Sequence, residues 1–359
     1  MSSTQSTQPG DLFMHTKCMA AFDKSGTIKP HTIERREPGA NDVMIKIDYC
    51  GVCHSDIHTV RSEWGPAAYP CVPGHEIVGH VIKVGKKVTR FKVGEPVGVG
   101  CFVDSCGKCK PCKNNEQQFC EKRTVFTYNS TELDNKTPTY GGYASHITVK
   151  DKYVLKVKKG LPLDKVAPLL CAGITTYSPL KRYKAGKGKK VGVVGLGGLG
   201  HMAVKLAKAM GAEVTVFSTS PGKESDAKRL GAKHFKITKD PKVFASLIGT
   251  LDLIIDTVSA KHDFTPYLES LTLGGTMVLV GVSPEPNSFG AFGLIGGRKV
   301  LTGSLIGGIK ETQEMLDFCA KKKVFSDIEL ISTDKINDAY TRTVAGDVKY
   351  RFVVNLKTL

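Results

Sequence analysis

Apolar and polar residues alternate in short runs over the first part of the chain. Residues 43–49 (VMIKIDY) follow the period of a strand with one buried face. Residues 75–84 and 95–101 repeat the pattern between Gly and Pro, so the stretch from about 17 to 160 is predicted to be β-rich with frequent turns. Inside it, 107–118 is rich in Lys, Asn and Gln and poor in apolar residues. It reads as an excursion held by something other than a hydrophobic core.

The texture changes near residue 188. Apolar runs at 190–195, 213–218, 233–237, 251–256, 276–282 and 300–304 predict strands. Helical spacing at 199–210 and 223–230, stopped by Gly211 and Gly231, fills the intervals between the first three. Such alternation implies a parallel sheet covered on both faces. A helix at 311–322 and a strand at 350–355 close the chain. The predicted fold is α/β, a β-rich domain plus a doubly wound one, with the C-terminus returning to the first.

Composition narrows the class. Of 359 residues, 41% are hydrophobic and 24% charged, which excludes wholesale disorder and a fibrous protein. No apolar run reaches the roughly 18 residues of a membrane-spanning helix. Residues 1–11 are Ser/Thr/Gln-rich and read as a short disordered tail, not a secretory signal, so the cytosol is the expected compartment. Eleven cysteines in such a chain are not expected to form disulfides. Five of them crowd into 101–120, which points to metal. Lys and Arg number 51 against 34 Asp and Glu, a formal +17 that leaves a nucleic-acid or membrane-surface partner open.

Gly195, Gly197 and Gly200 form G-x-G-x-x-G between a predicted strand and a predicted helix, the context a dinucleotide site requires. The first glycine makes the turn, the second admits a pyrophosphate close to the backbone, and the third lets helix and strand pack. At the end of the next strand, NAD-selective sites carry a carboxylate for the ribose 2′-hydroxyl. Here stand Ser218, Thr219, Ser220 and Lys223, hydroxyls and a cation suited to a 2′-phosphate. NADP(H) is therefore preferred over NAD(H).

Cys106, Cys109, Cys112 and Cys120 place four thiols in one short segment, the donor set of a closed structural zinc site in a lobe at about 104–121. Cys53, His75, Glu76 and Cys171 are dispersed, and spacing alone does not join them. His75, Glu76 and His80 are also not the metalloprotease motif, because the histidines are five apart on a predicted strand.

These pieces together resemble the zinc-dependent medium-chain alcohol dehydrogenases, cinnamyl alcohol dehydrogenase branch. The matching segments are CGVCHSDIH at 50–58, PGHE at 73–76, the four-cysteine lobe, LLCAGITT at 169–176, GLGGLGH at 195–201 and YRF at 350–352. They run in the family order over nearly the whole chain. The resemblance implies a GroES-like catalytic domain, residues 1–170 and 309–359, interrupted by a Rossmann domain at 171–308. It implies two zinc ions per chain, with Cys53, His75 and Cys171 holding the catalytic one and Glu76 beside it. Asp56 would orient His75, and Ser55 and His58 would relay a proton. His54, Thr175, Gly198, Leu199 and Arg351 join the glycines and the Ser218–Lys223 loop residues as cofactor contacts. Phe126 stands where plant members usually carry tryptophan, and with Trp64 it would line a pocket for flat or apolar aldehydes.

The implied activity is hydride transfer between NADPH and aromatic or aliphatic aldehydes by a cytosolic homodimer. An NAD-linked alcohol or polyol dehydrogenase is the nearer alternative. A zinc-ribbon nucleic-acid-binding protein is the distant one; its lysines would cluster, whereas here they are spread over both domains. Cys18, Cys50, Cys71, Cys101 and Cys319 are left as small apolar fillers.

Overall fold

A computed structural model of the protein describes residues 13–240 and 242–359. The tail read at 1–11 lies outside the described residues. Two sheets organise the rest. In the first, strands run in the order Leu155–Lys156, Pro96–Val99, Ile77–Val84, Asp42–Gly51, Arg351–Asn355, Ile328–Ile331, and His146–Lys150 also pairs with Asp42–Gly51. Most pairings are antiparallel. The last strand lies beside Asp42–Gly51 with Val354 opposite Cys50, so the chain's end is built into its beginning.

The second sheet has six parallel strands in the order His234–Ile237, Glu213–Ser218, Lys190–Val194, Leu251–Asp256, Leu271–Leu279, Val300–Gly303. The chain starts in the middle of this sheet, winds one way and then the other. The reversal between Lys190–Val194 and Leu251–Asp256 leaves a crevice at the strands' carboxyl ends, where such sheets bind ligands. Val191, Val193, Val216, Leu253 and Ile255 are buried in the large core, and Val194, Phe217, Ile254 and Met277 in a second cluster on this sheet.

Most predicted strands and helices lie within two residues of their observed bounds. One strand departs further and two residue readings change, each for a physical reason. The strand Leu271–Leu279 starts five residues early, because a register shift between Leu251 and Leu253 carries the ladder through the glycine pair. His75 and Glu76 precede the strand Ile77–Val84 and do not belong to it, which frees both side chains to turn toward one site. Cys101 is half-buried beside His75 and Cys171, not an apolar filler, whereas Cys18, Cys50, Cys71 and Cys319 are buried. Among the described residues no helix is long and apolar enough to cross a membrane.

The two sheets meet along a polar seam. Asp327 accepts from Lys205 at 2.6 Å and Arg229 at 2.7 Å, and Lys349 pairs with Asp226 at 2.7 Å. His201 is fully buried in the seam, stacked on Tyr350 with ring centroids 4.9 Å apart. It lies 3.1 Å from the Ser326 hydroxyl and 3.2 Å from the Gly197 carbonyl. Burial drives its pKa down to about 3, so the ring is neutral, and the N–H facing Gly197 is at Nδ1.

Candidate active site and metal centres

Cys53 and Asp56 open the short helix His54–Val60, where the Cys53 backbone N–H donates to Asp56 Oδ2 at 2.9 Å. The other carboxylate oxygen accepts from the Gly74 N–H at 3.0 Å and faces His75 Nδ1 at 3.1 Å. One buried carboxylate therefore fixes the backbone at Cys53 and the ring of His75 together, leaving His75 Nε2 free to ligate. Cys171 caps the helix Ala172–Arg182, and its carbonyl accepts from the Thr175 N–H at 2.9 Å. Donor atoms of Cys53, His75, Glu76 and Cys171 lie within 4.8 Å of one another, and all four residues are buried.

This donor set fits a metal. Two thiols, an imidazole and a carboxylate suit zinc. Glu76 Oε2 is buried with no hydrogen-bond partner, a costly state that a nearby cation relieves. Glu76 Oε1 is taken by the Arg351 guanidinium. Burial pushes the Glu76 carboxyl up against the pull of Arg351, and a hydrogen bond from Cys171 holds the Cys53 thiol well below its ordinary range.

The second cluster is built locally. Cys106, Cys109, Cys112 and Cys120 also bring donor atoms within 4.8 Å of one another. The Cys106–Cys112 and Cys109–Cys120 sulfurs are 3.9 and 3.8 Å apart, and none of the four is in a disulfide. Zinc–sulfur bonds of about 2.3 Å put thiolates of a tetrahedron about 3.8 Å apart, so four thiolates fit zinc here. Backbone N–H groups of Lys108 and Cys109 donate to Cys106 Sγ at 3.5 and 3.4 Å, and that of Cys106 to Cys120 Sγ at 3.5 Å. Against burial, backbone N–H groups bring the Cys120 thiol down to about 6.

A cleft of about 210 Å³ brings His54, Leu196, Gly197, Gly198, Lys223, Tyr350 and Arg351 together. Gly195 sits at φ +88°, and a Cβ on Gly200 would collide with the Gly195 carbonyl, which only glycine at both positions avoids. Leu199 precedes the helix Gly200–Met210, whose N-terminus faces the cleft mouth. Lys223 Nζ donates to the Leu196 carbonyl at 3.1 Å. Ser218 is buried, its hydroxyl accepting from the Ser220 N–H at 3.1 Å, while Thr219 and Ser220 are exposed.

A second cavity of about 440 Å³ lies over the dispersed metal cluster. Ser55, Trp64, His75, Cys101, Phe126, Tyr128 and Cys171 line it, with Leu305 and Ile306 from the end of the parallel sheet. Ser55 Oγ is 3.5 Å from Cys53 Sγ. Among the described residues no hydrogen bond joins His58 to Ser55; His58 Nδ1 faces Glu63, and its ring stacks on Trp64 at 4.7 Å. Sequence reasoning took Cys101 for an apolar filler and passed over Glu63, Tyr128 and Asn129. Their only sequence signal is closeness to residues it had singled out.

Such a fold, with a metal cluster tied through Arg351 to a dinucleotide cleft, defines a zinc-binding dehydrogenase. The profile "Alcohol dehydrogenase GroES-like domain" matches residues 39–159, and "Zinc-binding dehydrogenase" matches 198–321. An NADP-dependent alcohol dehydrogenase C of Mycolicibacterium smegmatis is 54% identical over 95% of this chain and 97% of its own. A cinnamyl alcohol dehydrogenase from Sorghum bicolor superposes with a TM-score of 0.93 at 45% identity, covering 96% of this chain and 98% of its own. The Helicobacter pylori enzyme solved with NADP(H) gives 0.90 at 49% identity, covering 96% and 99%. The chain belongs to the zinc-dependent medium-chain alcohol dehydrogenases, on the cinnamyl alcohol dehydrogenase branch. It is an NADP-dependent alcohol oxidoreductase and aldehyde reductase that uses zinc.

Proposed function

We propose that the chain works mainly as a reductase of flat or apolar aldehydes, with two zinc ions per chain. The observation that carries this reading is Arg351, which lines the cofactor cleft and reaches Glu76 of the metal cluster, while His75 and Cys171 of that cluster line the neighbouring cavity with Ser55, Trp64 and Phe126. NADP selectivity favours the reductive direction, because cellular NADP pools are generally reduced.

Cys53, His75 and Cys171, with Glu76 beside them, hold the catalytic zinc; Cys106, Cys109, Cys112 and Cys120 hold the structural one. When bound, zinc supplies Lewis acidity at the carbonyl oxygen and NADPH supplies hydride. The chain does the rest. Asp56 keeps the His75 ring in place through Nδ1. The Ser55 hydroxyl hands a proton to the product oxygen, and His58, whose Nδ1 faces Glu63, stands further along the same relay with no direct hydrogen bond to Ser55. His54, Thr175, Leu199, Gly198 and Arg351 seat the diphosphate side of the cofactor, and Ser218, Thr219, Ser220 and Lys223 seat its 2′-phosphate. The boundary between the domains falls near residues 171 and 308.

The edge strand Val300–Gly303 pairs on one side only among the described strands, and Phe292 and Ile295 beside it are 84% and 67% exposed. This supports a homodimer formed by continuing the parallel sheet into a second copy. The same reading takes the cytosol as the compartment and neither nucleic acid nor a membrane as a partner, because the lysines are spread over both domains rather than gathered on one segment.

One assay tests the reading. Oxidation of NADPH and NADH is followed over a panel of aromatic and aliphatic aldehydes, with zinc measured on the same sample. The expected result is faster turnover with NADPH and aromatic aldehydes at two zinc ions per chain. Less than one zinc, or a preference for NADH, overturns it.

A further inference from the structure

The two aromatic walls of the aldehyde cavity belong to different parts of the chain, and they are held very differently. Phe126 ends the strand Thr124–Phe126, which is anchored to the floor. The neighbouring Thr127 hydroxyl donates to the Gly100 carbonyl at 2.5 Å, and the Tyr128 ring stacks on His75 at 5.9 Å. Trp64 sits in an irregular segment after the helix His54–Val60, is 52% exposed, and precedes Gly65, around which there is open space. Within that segment Ser62 Oγ accepts from the Ala67 N–H at 3.1 Å and meets Tyr69 Oη at 3.0 Å. These bonds shape the loop but tie it to nothing across the cavity.

The crossing is made by Asn129. Its Oδ1 accepts from the Ala68 N–H at 2.8 Å, joining the Phe126 wall to the Trp64 wall. A further hydrogen bond between these walls, Tyr128 Oη to Thr59 Oγ1, is long at 3.5 Å. Asn129 holds φ +52°, a left-handed conformation in which asparagine is among the few tolerated residues. We propose that Asn129 is a positioning residue that sets the distance between Trp64 and Phe126 and so selects flat, bulky aldehydes over small ones. The Ala68 N–H lies near solvent, so losing its partner loosens the wall without stranding a buried donor.

The proposal rests on the aldehyde reading of the cavity, and its test separates the two. Trp64 is the sole tryptophan of the chain, so acrylamide quenching of intrinsic fluorescence reads that wall directly in the zinc-loaded enzyme, with no substrate present. Asn129→Gly keeps the left-handed backbone and removes the bond; Asn129→Asp keeps an acceptor and tolerates the same backbone. In the glycine variant, quenching of Trp64 is expected to rise. Its kcat/KM for cinnamaldehyde should fall about fivefold, mostly through KM, as expected for one lost hydrogen bond. Its kcat/KM for propanal should change by less than about twofold, within the spread of surface substitutions. The aspartate variant should restore both properties. Unchanged quenching, equal losses for the two aldehydes, or no rescue by aspartate each overturns the proposal. A wild-type enzyme that turns over neither aldehyde overturns the aldehyde reading instead and leaves the quenching result standing.

Discussion

Ser55 carries a sharp expectation, because it lines the cavity with its hydroxyl 3.5 Å from Cys53 Sγ, and a neutral hydroxyl is not a usual zinc ligand. Ser55→Ala should cut turnover by about a hundredfold, the usual scale of one acid–base contribution, while zinc per chain stays unchanged. A normal rate would remove Ser55 from proton transfer. Lys223 lines the cofactor cleft, and its backbone N–H donates to the Ser220 carbonyl at 3.2 Å. Lys223→Ala should raise KM for NADPH about tenfold or more and leave NADH nearly unaffected, since a charge-assisted hydrogen bond contributes about 1.5–3 kcal/mol. Equal changes for both cofactors would place the 2′-phosphate elsewhere. Residues of this kind were legible because their motif positions carry chemistry by type: a hydroxyl beside a cysteine, a lysine where a carboxylate is missing. Cys101 was not legible. It follows the strand Pro96–Val99 with no motif around it, and only the closing of the first sheet sets it against His75 and Cys171.

At the scale of elements, the parallel sheet was the most readable part. The run 190–195 has apolar residues for both faces, Val191 and Val193 in one core cluster and Val194 in the other, and glycines 211 and 231, at φ +99° and +114°, stop their helices where the sequence placed the stops. Strand ends were harder, as the misplacement of His75 and Glu76 ahead of Ile77–Val84 shows, because alternation marks a strand's interior better than its first residues. The four-cysteine lobe was legible as chemistry and opaque as shape: only one turn of helix, Lys110–Lys113, and a short turn at Gln117–Phe119 give it regular structure. With so little buried apolar surface, its order should depend on metal. Cys109→Ser is expected to reduce zinc by one ion per chain and to lower the melting temperature by several degrees, read by calorimetry alongside elemental analysis. Retention of two ions would show that the lobe is not a metal site.

For the whole molecule, the seam between the sheets makes stability depend on pH. His201 is neutral in the fold, with a pKa of about 3, against about 6.5 for an unfolded histidine. Between those values the unfolded chain binds the extra proton, so stability rises with pH and is lost as pH falls through 6.5. From pH 7 to pH 5 this residue alone accounts for about 2 kcal/mol. His201→Asn should be less stable at pH 7 but show a correspondingly shallower loss on acidification, measured by urea unfolding of both proteins. Parallel pH profiles would mean that His201 is protonated in the fold. No pattern in the sequence announced this pairing, because His201 and Ser326 meet only when the end of the chain returns to the first sheet.

That return also sets an order of assembly. The lobe's four thiols sit in a single short segment and exist as a complete donor set before anything else has folded. The donors at Cys53, His75 and Cys171 come together only after the first sheet has closed and the helix Ala172–Arg182 has docked. A chain refolding with one equivalent of zinc should therefore fill the lobe first and stay inactive, and activity should return only with the second equivalent. For this molecule, catalytic competence is a late checkpoint on folding, and scarce metal delays it without preventing the early steps.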